Sequence, residues 1–257
     1  MKRFIWLGML SLLIMSACGT TNEKVASVNL ETIKHEVEKN GLSLEATIKK
    51  GSNIHVEASL TNVSGETIVY NGRCGVPFWI SIQKENAHAH LIAPNSERNG
   101  CEDIFDPDDL RDMKPGESFE IDKTFAKKVN LDQNKTVNAL SGKYEVSFSF
   151  EMHKKDTFSS MFPIELKNEN EPEILTVEQA IQTAKEDGEV KEWIEGHKAK
   201  GVSVESEDAI LSMGMWSVGF HAIYEDKAYR IIINMNAKSG DIQDINYEEL
   251  GESVIRF

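Results

Sequence analysis

The chain has 257 residues, enough for one large domain or two small ones. Its 42 Asp and Glu residues outnumber its 28 Lys and Arg residues, which gives a formal net charge of -14 at pH 7. Nucleic-acid binding requires clustered Lys and Arg to neutralise phosphates, so this composition argues against a nucleic-acid partner. The acidity is better suited to a soluble surface or to a basic protein partner.

The N-terminus has the layout of a secretory signal peptide over residues 1–17. Lys2 and Arg3 precede an apolar run over residues 4–15, and small residues follow that run. The run is shorter than the roughly 20 residues that cross a bilayer as a helix. Secretion therefore explains the segment better than a permanent transmembrane anchor does.

The residues at the end of this signal resemble the lipobox of bacterial lipoproteins. Ser16 and Ala17 directly precede Cys18, although Met15 stands where Leu is usual. The resemblance implies that Cys18 carries lipid and becomes the mature N-terminus, so that the protein is held at the extracytoplasmic face of the cell membrane. Ordinary secretion and an uncleaved anchor are the alternatives. Residues 18–40 are polar and are predicted to form a tether with at most one weak helical turn, over residues 31–38.

From residue 41 the hydrophobic period changes to two, which is the pattern of half-buried strands. Alternation over residues 42–48 and 54–60 about a turn predicts a β-hairpin. Further strands are predicted over residues 67–70, 78–82, 118–125, 144–150 and 158–166. Short strands without a long helix predict an all-β antiparallel sandwich over residues 41–167.

Two local signals favour an immunoglobulin-like form of this sandwich. Tyr144 begins a strand in the manner of a tyrosine corner, and Lys114-Pro-Gly-Glu117 predicts a turn before another strand. The stretches SLTNVSGETI, MKPGESFEI and ALSGKYEVSFSF make residues 42–166 resemble the BsuPI-type domain, which is named after an intracellular proteinase inhibitor. The resemblance implies a sandwich, and it raises protease inhibition as an expectation without an inhibitory loop to match.

Residues 168–174 are polar, contain a proline and are predicted to be a linker. Thr176 and Gln179 then form a T-x-x-Q capping box that predicts a helix start. A second helix is predicted over residues 190–198, followed by strands over residues 215–224, 229–235 and 242–247. The stretches LTVEQAIQTA, WSVGFHA and YRIIINMNAKSGDIQDI resemble the PepSY domain. That resemblance implies a small α+β domain over residues 175–257 that inhibits peptidases or binds in the cell envelope, with no catalytic residues.

Cys74 and Cys101 are predicted to form a disulfide bridge. Thiols outside the cytoplasm tend to be oxidised, and two cysteines remain once Cys18 is assigned to lipid. The bridge would contribute roughly 3.5 kcal/mol in the chain-entropy model. The alternatives are a Cys74 nucleophile, for which no partner base is indicated, and a metal ligand. The bridge would also hold the segment over residues 86–114, where the sequence shows no strong strand signal.

His88 and His90 are the candidates for a metal site. In an extended segment their imidazoles would lie on the same side of the chain. The acidic run over residues 102–112 could add carboxylate ligands, but Leu110 and Arg111 stand where an EF-hand loop needs a ligand and a glycine. Two exposed loop histidines and a solvated acidic loop are the simpler interpretation, so no cofactor is predicted.

Phe78 and Trp79 are candidate partner contacts. Both lie in a predicted strand, so alternation must turn one of them away from the core, where an exposed aromatic side chain can mark a binding site. The sequence shows no catalytic constellation. It predicts a non-enzymatic, lipid-anchored protein-binding module that restrains a peptidase, and a metal- or solute-binding envelope lipoprotein is the alternative.

Overall fold

A computed structural model describes residues 31–94, 106–132, 135–206, 209–224 and 227–250 of the chain. Within these ranges the protein is mostly antiparallel β-sheet, with two α-helices in its C-terminal part. The first eleven strands are β1 Glu31–Lys39, β2 Leu42–Lys50, β3 Asn53–Asn62, β4 Ile68–Asn71, β5 Phe78–Lys84, β6 Leu91–Ile92, β7 Leu110–Met113, β8 Ser118–Asp132, β9 Lys135–Asn138, β10 Gly142–Phe150 and β11 Phe158–Leu166. The remaining elements are α1 Val177–Glu186, α2 Gly188–Ala199, β12 Val204–Ser206, β13 Ile210–Ser212, β14 Met215–Tyr224, β15 Lys227–Asn236 and β16 Ile242–Leu250.

The large sheet has the strand order β1-β2-β3-β8-β6, with β9 also paired to β8. The predicted hairpin is confirmed as β2 and β3, whose register places Leu44 opposite Leu60 and Ile48 opposite Val56. These four side chains are fully buried. Alternation in the sequence therefore reports the buried face of the hairpin.

The prediction of a tether with a weak helical turn is wrong for residues 31–39. This stretch forms β1, which pairs with β2 so that Ile33 lies opposite Ile48 and Val37 opposite Leu44. Its Glu and Lys residues suggested a helix, but the partly buried Ile33, His35 and Val37 repeat every second residue. Hydrogen bonding and packing against β2 outweigh the helical preference of the Glu and Lys residues in this segment. Residues 18–30 of the predicted tether lie outside the described ranges.

The three-stranded sheet has the order β11-β10-β5 and packs against the large sheet. Rings from the two sheets meet in the core, with centroids 5.8 Å apart for Phe119 and Phe150 and 4.9 Å apart for His35 and Phe162. Two antiparallel sheets that pack face to face bear out the prediction of a β-sandwich at this level of detail.

The segment over residues 86–114, predicted to be irregular, contains two short strands where it is described. β6 pairs with β8, and β7 pairs with β4 in a separate two-stranded ribbon. Strands of two and four residues are too short to show a period in the sequence, so only their tertiary partners define them.

The C-terminal part places two helices on one face of an antiparallel sheet of order β12-β14-β15-β16, with β13 also paired to β14. The capping box at the start of α1 is confirmed: the Thr176 side chain accepts from the Gln179 backbone, and the Gln179 side chain accepts from the Thr176 backbone. Trp216 is fully buried and donates from Nε1 to the Leu175 carbonyl at 3.1 Å. No helix in the described ranges combines the length and apolar character needed to cross a membrane.

The two parts of the chain pack directly on one another. The Ala209 and Leu211 amides donate to the carbonyls of Asn86 and Ala87 at 3.2 and 3.3 Å. Residues 168–174, predicted as a linker, have no regular structure, but Ile174 is buried among the core side chains. One hydrophobic cluster includes residues from both parts. The connection is therefore anchored at its end by Ile174, while residues 169–173 are exposed.

Candidate functional site

Strand alternation separates the two aromatic residues at the start of β5. Phe78 faces the core and is 4% exposed, whereas Trp79 is 48% exposed. The prediction that one of the pair faces outward is thus met by Trp79. Phe78, also named as a possible partner contact, is a core residue and is excluded from that role because no partner could reach it.

The residues in the same row as Trp79 across β10 and β11 are uncharged. Ser149 of β10 lies opposite Trp79 and Ser159 of β11, and in the next row of the same face Ser147 lies opposite Ser81 and Met161. Met161 is 61% exposed. We call this surface the Trp79 face; its members are Trp79, Ser81, Ser147, Ser149, Ser159 and Met161.

The charge pattern sets the limit of the Trp79 face. The following row across the same strands consists of Gln83, Glu145 and Pro163. At the other end the exposed Glu151 follows β10, with its amide donating to the Pro77 carbonyl at 3.2 Å, so an acidic side chain lies beyond each end of the two rows. A chain with a net charge of -14 therefore presents two adjacent rows without a charge. Depletion of charge around large apolar side chains is typical of the centre of protein interfaces. Tryptophan beside serine supplies rigid contact area and adaptable hydrogen bonds.

The turn before β5 is held in place by several contacts. The Gly72 amide donates to the Asp109 carbonyl at 2.9 Å, and Arg73 Nη1 lies 3.4 Å from Asp109 Oδ2. Cys74 follows and is disulfide-bonded. Cys101 and Cys18 both lie outside the described residues, so the pairing of Cys74 with Cys101 remains a prediction. A fixed turn orients the start of the strand that carries Trp79.

The two histidines of the metal hypothesis lie on the surface next to β5. His88 and His90 are exposed and alternate with the buried Ala87 and Ala89, but His88 has a φ of +44°, so the segment is not the extended strand that the metal hypothesis assumes. The Gln83 side-chain amide donates to His88 Nδ1 at 2.8 Å. In the described part of the acidic run, the Asp106 side chain accepts from the Asp108 amide at 3.0 Å. That carboxylate is used in a local turn.

Among the described residues, the ones that lie close enough to share a cation do not include His88 or His90. Ligand atoms of His55, Glu57 and Asp122 lie within 4.8 Å of one another on the outside of β3 and β8. Lys49 Nζ already contacts Glu57 Oε1 at 2.7 Å, and His55 Nε2 contacts the same oxygen at 3.0 Å. These hydrogen bonds, with Lys49 the larger cause, lower the pKa of Glu57. The group is therefore accounted for as a surface ion-pair network.

Sequence reasoning did not identify this network. His55 and Glu57 are two residues apart on one strand, and Asp122 joins them only through the register that places it opposite Glu57. The sequence does show that His55 and Glu57 are two residues apart and so lie on the same face of a strand. It does not show which strand pairs with that one, so Asp122 could not be identified.

A polar cleft of about 590 Å³ lies between the sandwich and the C-terminal part. Lys84, Lys143, Asn168 and Glu178 contribute to its wall. The Lys84 ammonium stands 5.4 Å from the centroid of the Tyr144 ring. Neither His nor Cys is among the described residues that line it. The cleft therefore holds no described pair of nucleophile and imidazole base of the kind used in acyl transfer.

No family model matches this chain, and no curated protein shows significant similarity to it. One solved structure with some likeness is that of a functionally unknown protein from Listeria monocytogenes EGD-e. It has 11% sequence identity and a TM-score of 0.30, and the match covers 55% of this chain and 90% of that chain. A likeness of this strength carries no conclusion about fold or function.

Proposed function

We propose that this protein is an extracytoplasmic lipoprotein, anchored through lipid on Cys18, that binds a protein partner through the Trp79 face. The observation that carries the proposal is a tryptophan that is 48% exposed at the start of two uncharged rows. Burial of a tryptophan side chain against a partner is a frequent source of binding energy. The surrounding serines can be covered without removing a charge from water, which would oppose binding.

Two structural details support the finer domain assignments within this proposal. The Tyr144 hydroxyl donates to the Leu140 carbonyl at 2.7 Å, which is the hydrogen bond of a tyrosine corner and favours an immunoglobulin-like sandwich. Two helices followed by antiparallel strands favour a PepSY-like C-terminal domain. Gly240, with a φ of +77°, occupies the turn that the PepSY resemblance emphasises.

The partner that we propose is a peptidase of the cell envelope, whose activity the lipoprotein restrains. Both resemblances in the sequence, to the BsuPI-type domain and to the PepSY domain, favour this class of partner. A lipid anchor would keep the two proteins at the same membrane surface and so raise their effective concentration.

Site-specific photocrosslinking in the native cells tests the binding surface. A photoreactive amino acid at Ser149, within the Trp79 face, is expected to give a crosslinked partner. The matched position is Glu120, an exposed residue of β8 in the large sheet. We expect the crosslink at Ser149 to disappear with Trp79→Ala and the Glu120 position to give no such product. Equal crosslinking at both positions, or a product insensitive to Trp79→Ala, would contradict the proposal.

Anchoring and inhibition need separate measurements. Cys18→Ser is expected to release the protein from the membrane fraction, because the lipid attachment is lost. The mature chain is expected to slow a secreted peptidase from the same cells, and Trp79→Ala should reduce this effect. If a partner is captured but no peptidase is slowed, binding stands and the peptidase assignment is wrong.

A further inference from the structure

The outer edge of β16 is the most open sheet edge among the described residues. β16 pairs with β15 from Ala228↔Leu250 to Met235↔Ile242, and no described strand pairs with its other side. The strand is nine residues long and has the sequence IQDINYEEL, without Pro, Lys or Arg. An edge of this kind exposes backbone donors and acceptors that a further strand can use.

The other long edges in the described structure carry features that oppose strand addition. β11 contains Pro163, which has no amide hydrogen to donate. β5 is partly covered, because Gln83 forms a bridge with His90 and the Lys84 amide donates to the Ala89 carbonyl. β1 carries lysines among its glutamates. Lysine on an edge is a common device against pairing with another chain.

The β16 edge also carries one sign of charge. Asp244, Glu248 and Glu249 project from both faces of the strand. Lys227 and Arg230 of β15 balance Glu249 and Glu248, at 2.5 and 3.6 Å. The Asp244 side chain contacts its neighbour Asn246.

The start of α2 adds further acids beside this edge. Tyr247 of β16 is 51% exposed and donates from its hydroxyl to Glu189 Oε1 at 2.6 Å. Desolvation, the Glu189 hydrogen bond and the charges of Glu189, Asp187 and Glu192 raise the pKa of Tyr247 to about 12. Three acids of the α2 N-terminus therefore act on the same side chain.

We propose that the outer edge of β16 accepts an extended, basic segment of a partner protein as an additional strand. Main-chain hydrogen bonds would supply affinity that does not depend on sequence, and basic side chains on one face of the added strand would pair with Asp244. The alternate side chains of that strand would lie on the other face, where the exposed ring of Tyr247 offers an apolar contact. This site is separate from the Trp79 face and does not depend on it.

Synthetic peptides and the full mature chain, kept soluble with Cys18→Ser, provide the test. The probe is an acetylated octapeptide that alternates Lys with Val. One control peptide has its central Val residues replaced by Pro, which keeps the charge and prevents pairing, and another has Glu in place of Lys. We expect the Lys–Val peptide to bind, to weaken as salt is raised, and to slow hydrogen exchange of the β16 amides. The Pro peptide should bind about ten-fold more weakly, and the Glu peptide should not bind.

Matched charge reversals locate the site. Asp244→Lys is expected to weaken peptide binding about five-fold, the effect of losing one favourable exposed charge pair and adding repulsion. Glu36→Lys, on the β1 edge, should leave the affinity unchanged. Absence of binding, equal affinity for the Pro peptide, exchange protection elsewhere, or equal effects of the two reversals would overturn the proposal. Trp79→Ala should leave this binding intact, so the outcome is independent of the proposed function.

Discussion

Two tyrosine hydroxyls of this protein donate short hydrogen bonds in opposite environments. Tyr144 is fully buried and donates to the Leu140 carbonyl at 2.7 Å, whereas Tyr247 is half exposed and donates to Glu189 at 2.6 Å. Tyr144→Phe leaves a buried carbonyl without its donor. We expect it to lower the free energy of unfolding by about 1–3 kcal/mol, measured by urea unfolding. For Tyr247→Phe, where water can replace the lost partner, we expect about 0.5 kcal/mol. Equal losses would contradict a stabilising role for the buried hydrogen bond of Tyr144.

His35 links the two sheets and makes stability depend on pH. Its ring stacks on Phe148 at 6.1 Å, and its Nε2 lies 2.8 Å from Ser160 Oγ. Burial lowers the pKa of His35 from its ordinary 6.5. The unfolded chain therefore takes up the proton at a higher pH than the folded protein does. The contribution of His35 to stability is complete above its unfolded pKa of 6.5 and is lost progressively as the pH falls from there through the lower pKa of the folded state.

A non-titrating variant isolates this effect. Between about pH 7.5 and 5.5 the wild type is expected to lose more unfolding free energy than His35→Phe does, because all other titrating groups are common to both proteins. Urea unfolding at the two pH values measures the difference. A His35→Phe profile parallel to that of the wild type would show that His35 titrates normally.

At the scale of elements, the capping box decides where α1 begins. Thr176→Ala removes the acceptor for the Gln179 amide and is expected to cost about 1 kcal/mol of unfolding free energy. Thr176→Ser keeps the hydroxyl oxygen and should preserve most of the stability. Urea unfolding followed by far-ultraviolet circular dichroism measures both variants. Identical losses for Ala and Ser would mean that the Thr176 methyl group, and not its oxygen, stabilises the helix.

The turn that leads into β5 contains a disulfide-bonded cysteine. Cys74 is disulfide-bonded, and we expect non-reducing peptide mapping to find it linked to Cys101. Cys101→Ser should then expose a free Cys74 thiol and lower the unfolding free energy by up to roughly 3.5 kcal/mol. A Cys74 that remains oxidised in the Cys101→Ser protein would refute this pairing.

For the whole molecule, the packing of the sandwich against the C-terminal part predicts that both unfold together in one cooperative transition. The Leu211 amide donates to Ala87 across the junction, Gly214 lies against Leu131, and buried residues of both parts belong to one cluster. We expect a single calorimetric transition with equal calorimetric and van't Hoff enthalpies. Two resolved transitions would show that the sandwich and the C-terminal part unfold independently, as a linker over residues 168–174 would allow.

Regular patterns account for the elements that were predicted correctly. The β2–β3 hairpin, β10 and α1 each bury one face, and that face is written in the sequence as a period of two or of 3.6 residues. β1 was not predicted as a strand, because its many Glu and Lys residues are typical of an exposed segment or a helix. The segment forms a strand because it pairs with the edge of β2. For the Trp79 face, the sequence predicted only that one aromatic residue is exposed, because strand alternation requires it. Ser147, Ser149, Ser159 and Met161 could not be predicted to lie beside Trp79, because they belong to strands that are far from β5 in the sequence.

The sequence alone determined the properties that depend on local order along the chain: the alternating strands, the capped helix and the negative charge. Tertiary structure decided everything that depends on strand register. Register brought Trp79, Ser149 and Ser159 into one row, placed Asp122 opposite Glu57 and left the outer side of β16 without a described partner strand. Because a strand period of two marks faces but not neighbours, a surface made from several strands exists only once those strands have paired.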